Sequence, residues 1–124
     1  MESDKLRIYV DCFQLHKLLY KAQFEMCKKD RVILGNLILE YNAKLFAHIA
    51  MANNCKEDRL KYIEKFISDF EILKMYLRMS VEDNIISDEG TKFNIFDYVG
   101  KIDKAIYGWR SYTLAKARGH SECG

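Results

Sequence analysis

Apolar residues recur along this chain in alternating steps of four and three. Ile8, Cys12, Leu15, Leu19, Ala22 and Met26 form one such stripe, the spacing that gathers side chains on one face of an α-helix. Tyr9, Phe13, Tyr20 and Phe24 make a second apolar band beside it. The pattern repeats at Leu34, Ile38, Tyr41, Leu45, His48 and Ala52, and again at Leu60, Ile63, Ile67, Phe70, Lys74, Leu77 and Val81. A last stripe runs through Ile95, Val99, Ile102, Ile106, Trp109 and Thr113. Strand-like alternation of period two is absent. The spacing predicts four helices over about residues 5–27, 31–53, 55–83 and 88–117.

The interruptions supply the boundaries. Lys28-Lys29-Asp30 breaks the first pattern, with Asp30 as an N-cap for the second helix, and Asn53-Asn54 ends that helix. Asn54 and Glu57, three apart, read as a capping box for the third helix. Residues 84–90 hold the last turn signals, with Ser87 as a cap. The chain has no proline, which removes the strongest helix breaker. Gly100 and Gly108 fall inside the fourth helix, where they are expected to allow another backbone to come close. Connections of a few residues turn consecutive helices back on one another. The expectation is an all-α protein, a single up-down-up-down antiparallel four-helix bundle over residues 1–124.

The apolar faces are wider than one bundle needs. The first helix carries two stripes, and the second adds Leu37, Leu39, Phe46, Ile49 and Met51 outside its seam. A core-facing stripe covers roughly 100°, so the surplus predicts a homo-oligomer, with Phe13, Tyr20 and Phe46 at its interface.

Composition narrows the class. With 124 residues, 49% hydrophobic and 31% charged, the chain suits one folded domain. No apolar run approaches the roughly 18–20 residues that span a bilayer, and the start Met1-Glu2-Ser3-Asp4-Lys5 lacks the order of a signal peptide. The expected setting is cytoplasmic, without membrane contact. Cys12, Cys27, Cys55 and Cys123 are expected to be reduced and packed as small apolar residues.

Enzymatic signatures are missing. No glutamate is followed by histidine three residues later, as a di-iron bundle requires. Cys12 with His16, and His120 with Cys123, supply two ligands each, too few for zinc. His16 and His48 lie near apolar faces, where a hydrogen-bonded core histidine is expected. No phosphate loop, nucleophile elbow or Cys/His pairing is present. The chain is read as no enzyme, with no cofactor, no metal and no small-molecule substrate.

Charge is the remaining signal. The net charge is only +2, yet residues 17–31 hold five basic residues against two acids, and residues 101–118 hold five against one. Local basic clusters on a nearly neutral protein suit a polyanion. An up-down bundle would gather Lys5, Arg7, Lys56, Arg59, Lys61, Arg110, Lys116 and Arg118 at one pole. At the other, Lys28, Lys29 and Arg31 would face Glu82, Asp83, Asp88 and Glu89. Lys74 and Arg78 share a helical face, and Lys74 holds a seam position. There it either pairs with Asp97 or Asp103 or opens onto an anion-binding surface. Trp109 reads as a core or subunit-interface anchor.

Three segments carry a family resemblance: Leu73-Lys74-Met75-Tyr76-Leu77-Arg78-Met79, Ile85-Ile86-Ser87, and Ile102-Asp103-Lys104-Ala105-Ile106-Tyr107-Gly108-Trp109. They resemble the Avd family, the accessory variability determinants of diversity-generating retroelements. That family lies within a wider group of four-helix-bundle proteins that includes those encoded by intervening sequences of bacterial 23S ribosomal RNA genes. The resemblance implies a barrel-like homopentamer that binds RNA or DNA and the element's reverse transcriptase, supporting mutagenic cDNA synthesis. It matches Lys74 and Arg78 to the family's paired Leu-Arg positions in the third helix, Lys104 to the basic position ahead of a Gly-Gly-Trp-like segment, and Gly108 and Trp109 to that packing segment. With Lys28, Lys29, Arg31, Arg110 and Lys116 from the basic clusters, these are the candidate nucleic-acid contacts. Asp103 and Tyr107 stand where the family usually has glycine. The alternative implied is an intervening-sequence-type interaction protein without a retroelement role.

Overall fold

The computed structural model describes the backbone of residues 2–123 and the side chains of residues 7–118. Four long helices account for most of it: Glu2–Ala22 (α1), Asn36–Asn54 (α2), Arg59–Glu82 (α3) and Glu89–Cys123 (α4). No strand occurs among the described residues, so the protein is all-α. α1 packs on α2 and α4, and α3 packs on the same two, around one core.

The stripes read from the sequence supply that core. The α1 seam from Ile8 to Met26 is buried throughout, as are Leu34, Ile38, Leu45 and Ala52 before and along α2. On α4, Ile95, Val99, Ile102, Ile106 and Trp109 are buried. α3 differs from the expected pattern. Its buried face runs through Ile63, Phe66, Phe70, Leu73, Leu77 and Ser80, one position before Ile67, Lys74 and Val81. Lys74 therefore sits at the margin of the core. Ser80 tolerates burial because its hydroxyl donates to the Tyr76 carbonyl at 2.8 Å.

Contacts between helices follow a regular order. Tyr41 meets Tyr76 and His48 meets Asp69 across α2 and α3. Glu64 meets Arg110 and Lys74 meets Asp103 across α3 and α4. Tyr9 meets Phe46, and His16 meets Asn42, across α1 and α2.

Several helix boundaries differ from those the spacing predicts. α1 ends at Ala22 and passes into a 3-10 turn, Gln23–Glu25, well before residue 27. Helical structure resumes at Lys28–Asp30, so Cys27 holds the N-cap position expected of Asp30. The Asp30 carboxylate accepts a hydrogen bond from the Cys27 thiol at 3.2 Å, and Cys27 is exposed, unlike the packed thiol expected there. A π-helical stretch, Arg31–Gly35, then leads into α2. The Asn54/Glu57 capping box does not form, because Asn54 still belongs to α2 and α3 begins at Arg59. Arg59 folds back instead, donating from Nε to the Ala52 carbonyl at 2.8 Å and from a terminal nitrogen to that of Asn53 at 3.3 Å. Those carbonyls at the helix end lack helical partners and need such donors.

α3 stops in a Schellman turn. Asn84 adopts φ 56°, the Ile85 N–H donates to the Ser80 carbonyl and the Asn84 N–H to that of Val81. Asp88 rather than Ser87 caps α4, accepting the Thr91 N–H at 2.9 Å. Hydrogen bonds from the Thr91 N–H and hydroxyl hold the Asp88 carboxyl below its ordinary range. α4 runs on to Cys123, past the expected residue 117; the side chains of His120 and Cys123 lie outside the described residues.

Among the described residues, a Cβ added at Gly100 or Gly108 would meet nothing within 4 Å, so neither glycine marks a close approach between these helices. Close approach occurs at Gly35, where a Cβ would lie 3.4 Å from Gln23 Cβ and 3.6 Å from Met26 Sδ. Gly100→Ala and Gly108→Ala should each stabilise the monomer fold by about 0.5–1 kcal/mol in urea unfolding. Leu15→Ala, at a position with no exposure, should cost about 2–5 kcal/mol by the same measurement.

Candidate functional site

The basic residues divide by what they already contact. Lys74 Nζ lies 2.6 Å from Glu71 and 2.8 Å from Asp103, and 5.0 Å from the Phe70 ring centroid. Partial burial works against the ammonium, but the hydrogen bonds to Asp103 and Glu71 outweigh it and push its pKa up. Of the two alternatives raised for Lys74, the carboxylate pairing is the contact present. Arg110 donates from Nε to Glu64 at 3.0 Å, and Arg31 lies over Phe24 at 5.7 Å. Lys28, Lys29 and Arg78 are exposed. Among the described residues, Lys28, Lys29 and Arg31 form no ion pair with the acids expected to face them.

The described residues form a groove of about 560 Å³ between α1 and α4. Arg7 and Asp11 line it from α1; Lys101, Lys104, Gly108, Trp109 and Tyr112 line it from α4. Four-residue spacing explains the arrangement. Arg7 and Asp11 share one face, as do Lys104, Gly108 and Tyr112. Lys101 is held 3.2 Å from Asp97, whereas Arg7 and Lys104 carry no ion pair among the described residues. Lys116 lies 5.3 Å from the Tyr112 ring centroid, beside the groove. Trp109, 2% exposed, forms an inner wall, with the Arg59 guanidinium 5.9 Å from its ring centroid.

Of the expected site residues, Lys104, Gly108 and Trp109 come together here, with Lys116 adjacent. Lys74 and Arg78 lie on α3, and Lys28, Lys29 and Arg31 lie before α2. Asp11 and Tyr112 were not singled out by periodicity. The available signal was an acid at position 11 within the apolar face 8, 12, 15.

A second feature is buried and polar. Asn42, with no exposure, donates from Nδ2 to the Cys12 carbonyl at 3.2 Å and pairs with His16 Nδ1 at 3.0 Å. Both atoms cannot donate, so His16 accepts at Nδ1 and carries its proton on Nε2. Burial lowers the His16 pKa and raises that of the Cys12 thiol, which the Asp11 charge raises further. His48 Nε2 meets Asp69 at 2.6 Å. Both histidines are thus hydrogen-bonded, and the described residues contain no group of three or more side chains suited to a metal ion.

Of the expected interface residues, Phe13 and Tyr20 are 47% and 54% exposed, beside Tyr9 and Phe24 on the same band. Phe46 is half-buried against Tyr9 and His16 of its own chain, with ring centroids 5.4 and 5.9 Å away. Trp109 belongs to the core of its own chain.

The helices, groove and exposed band make an all-α protein whose described residues include a basic, aromatic-lined cleft. No helix among the described residues is long and apolar enough to cross a membrane. Comparison with known proteins found no matching family model, no matching curated protein and no matching solved structure.

Because the folded pKa of His16 is lowered, its contribution to stability is full above the ordinary value of 6.5 and is lost as pH falls through the folded value. Protonation also turns Nδ1 into a donor facing the Asn42 amide. NMR titration should give His16 a midpoint below 6.5, and His16→Gln should flatten the fall in stability below that pH.

Proposed function

We propose that this protein is a non-catalytic, oligomeric nucleic-acid-binding partner of a reverse transcriptase, of the kind that serves diversity-generating retroelements in the cytoplasm. The observation that carries the reading is the groove. Arg7, Lys101, Lys104 and Tyr112 surround it, and one wall is the segment 102–109 that resembles the Avd family. Cations beside an exposed aromatic ring suit a single strand, whose phosphates provide most of the affinity while bases stack on available faces.

The fold is read as an up-down-up-down antiparallel bundle. Support comes from the sequence of contacts: across α1 and α2, α2 and α3, and α3 and α4, partner numbers rise on one helix as they fall on the other. Tyr41 with Tyr76 and His48 with Asp69 set this direction for α2 and α3. The links are short as well, residues 55–58 and 83–88.

The oligomer is read from the band Tyr9, Phe13, Tyr20 and Phe24, extended by Val32 and Ile33 at 56% and 60% exposure. Apolar area of this kind is costly in water and favours self-association. Five subunits is the number the family resemblance implies. The same band suits the intervening-sequence-type reading, in which a protein contact is the whole function.

Single-stranded RNA should bind with an affinity that falls steeply as salt rises. Replacing Arg7, Lys101 and Lys104 with glutamine should reduce the slope of log K against log salt by about 2. Native mass measurement at micromolar concentration should give an assembly larger than one chain, and copurification should recover a neighbouring reverse transcriptase. A monomer indifferent to RNA at low salt would overturn the reading. An oligomer indifferent to RNA would favour the interaction protein.

A further inference from the structure

We propose that the α1–α4 groove selects guanine: Asp11 takes the base edge, Tyr112 its face, and Arg7, Lys101 and Lys104 the phosphate. The inference rests on the nucleic-acid reading and adds a base preference to it.

Asp11 is 7% exposed, lines the groove, and has no hydrogen bond or ion pair among the described residues. A carboxylate is an acceptor only, and the Asp11 oxygens are not among the buried atoms without a partner, so they open to the groove. Arg7, Lys101 and Lys104 share the groove but stand beyond salt-bridge distance of it. The chain thus presents an open acceptor inside a basic cleft.

Chemistry restricts what could fill such a cleft. A cationic ligand would meet the three basic side chains. A simple anion would satisfy those and repel Asp11. The ligand that suits both is anionic at one end and offers neutral N–H donors at the other, as a nucleotide does. Among the bases, guanine presents N1–H and the 2-amino group side by side, matching the two oxygens of one carboxylate. Adenine and cytosine offer a single exocyclic amino group there, and uracil a single ring N–H.

The space agrees. A groove of about 560 Å³ falls within the roughly 300–1,000 Å³ typical of small-ligand clefts. Tyr112 is 40% exposed and offers a stacking face. Gly108 leaves its part of the wall without a side chain, and a Cβ there would meet only open space.

The single tryptophan lines the groove, so its fluorescence reports occupancy. The full chain is titrated at low salt with guanosine and adenosine monophosphates. It is also titrated with uridine octamers carrying one central guanosine, inosine or adenosine. The guanosine octamer should bind about tenfold tighter than the adenosine octamer, the scale of one bidentate base contact. The inosine octamer, lacking the 2-amino group, should fall between them. Asp11→Asn should abolish the guanosine–adenosine difference.

Binding of guanosine monophosphate over adenosine monophosphate supports a free nucleotide as the source, and guanosine selectivity in octamers alone supports a strand. Equal affinity for all octamers overturns the guanine site and leaves the nucleic-acid reading standing; no binding by any octamer overturns both. A preference that survives Asp11→Asn overturns the role given to that residue. If that variant does not fold, the wild-type comparison decides, because equal guanosine and inosine affinities contradict the proposal.

Discussion

Four amphipathic helices from one chain must hide their apolar seams in a common interior, and the rest of the molecule accommodates that burial. Ile8, Leu15, Leu45, Ile63, Leu73, Ile102 and Ile106 have no measurable exposure, and they lie on all four helices. Removing each such side chain from water contributes about 1.5–3 kcal/mol. No surface pair competes with that, since exposed ion pairs contribute about 0–1 kcal/mol. The α3 seam accordingly runs through Phe66 and Leu73, and Lys74 is left at the edge where two carboxylates meet it.

Burial also determines where polar groups survive inside. Asn42 remains because both of its amide N–H groups find acceptors on α1, one on the Cys12 carbonyl and one on His16. That arrangement holds only while His16 is neutral, so a proton on one ring is opposed by the packing of two helices. A hydrogen bond of this kind adds little net stability but favours one alignment of α1 with α2, since another would take the acceptors from the amide N–H groups, and the Asn42 Oδ1 is already buried without a partner.

The exterior falls into two regions with different chemistry. One is the aromatic and aliphatic band of α1 and the turn that follows it, which stays about half exposed although Tyr9 meets Phe46 and Phe24 lies beneath Arg31. The other is the α1–α4 groove, where Lys101 is paired with Asp97 but Arg7 and Lys104 form no ion pair among the described residues; outside it, Lys74 and Arg110 are already paired with acids. The distinction matters for anion binding. A paired lysine gives up one ion pair to gain another, whereas an unpaired one gains the contact outright.

Periodicity alone determined the helices, their order and most of the core, because a 3.6-residue repeat reports directly on which face is buried. It also marked Lys74 as anomalous and the first helix as too greasy for its share of the interior. Helix ends were less legible. Asp88, Asp58 and Cys27 took the positions ahead of their helices that residue type assigns to Ser87, Asn54 and Asp30, since capping depends on which backbone groups are left exposed. The groove lay beyond the reach of sequence spacing, since Asp11 and Lys104 become neighbours only when α1 packs on α4. Local repeats specify faces; only packing decides which faces meet, and therefore which charges stay unpaired.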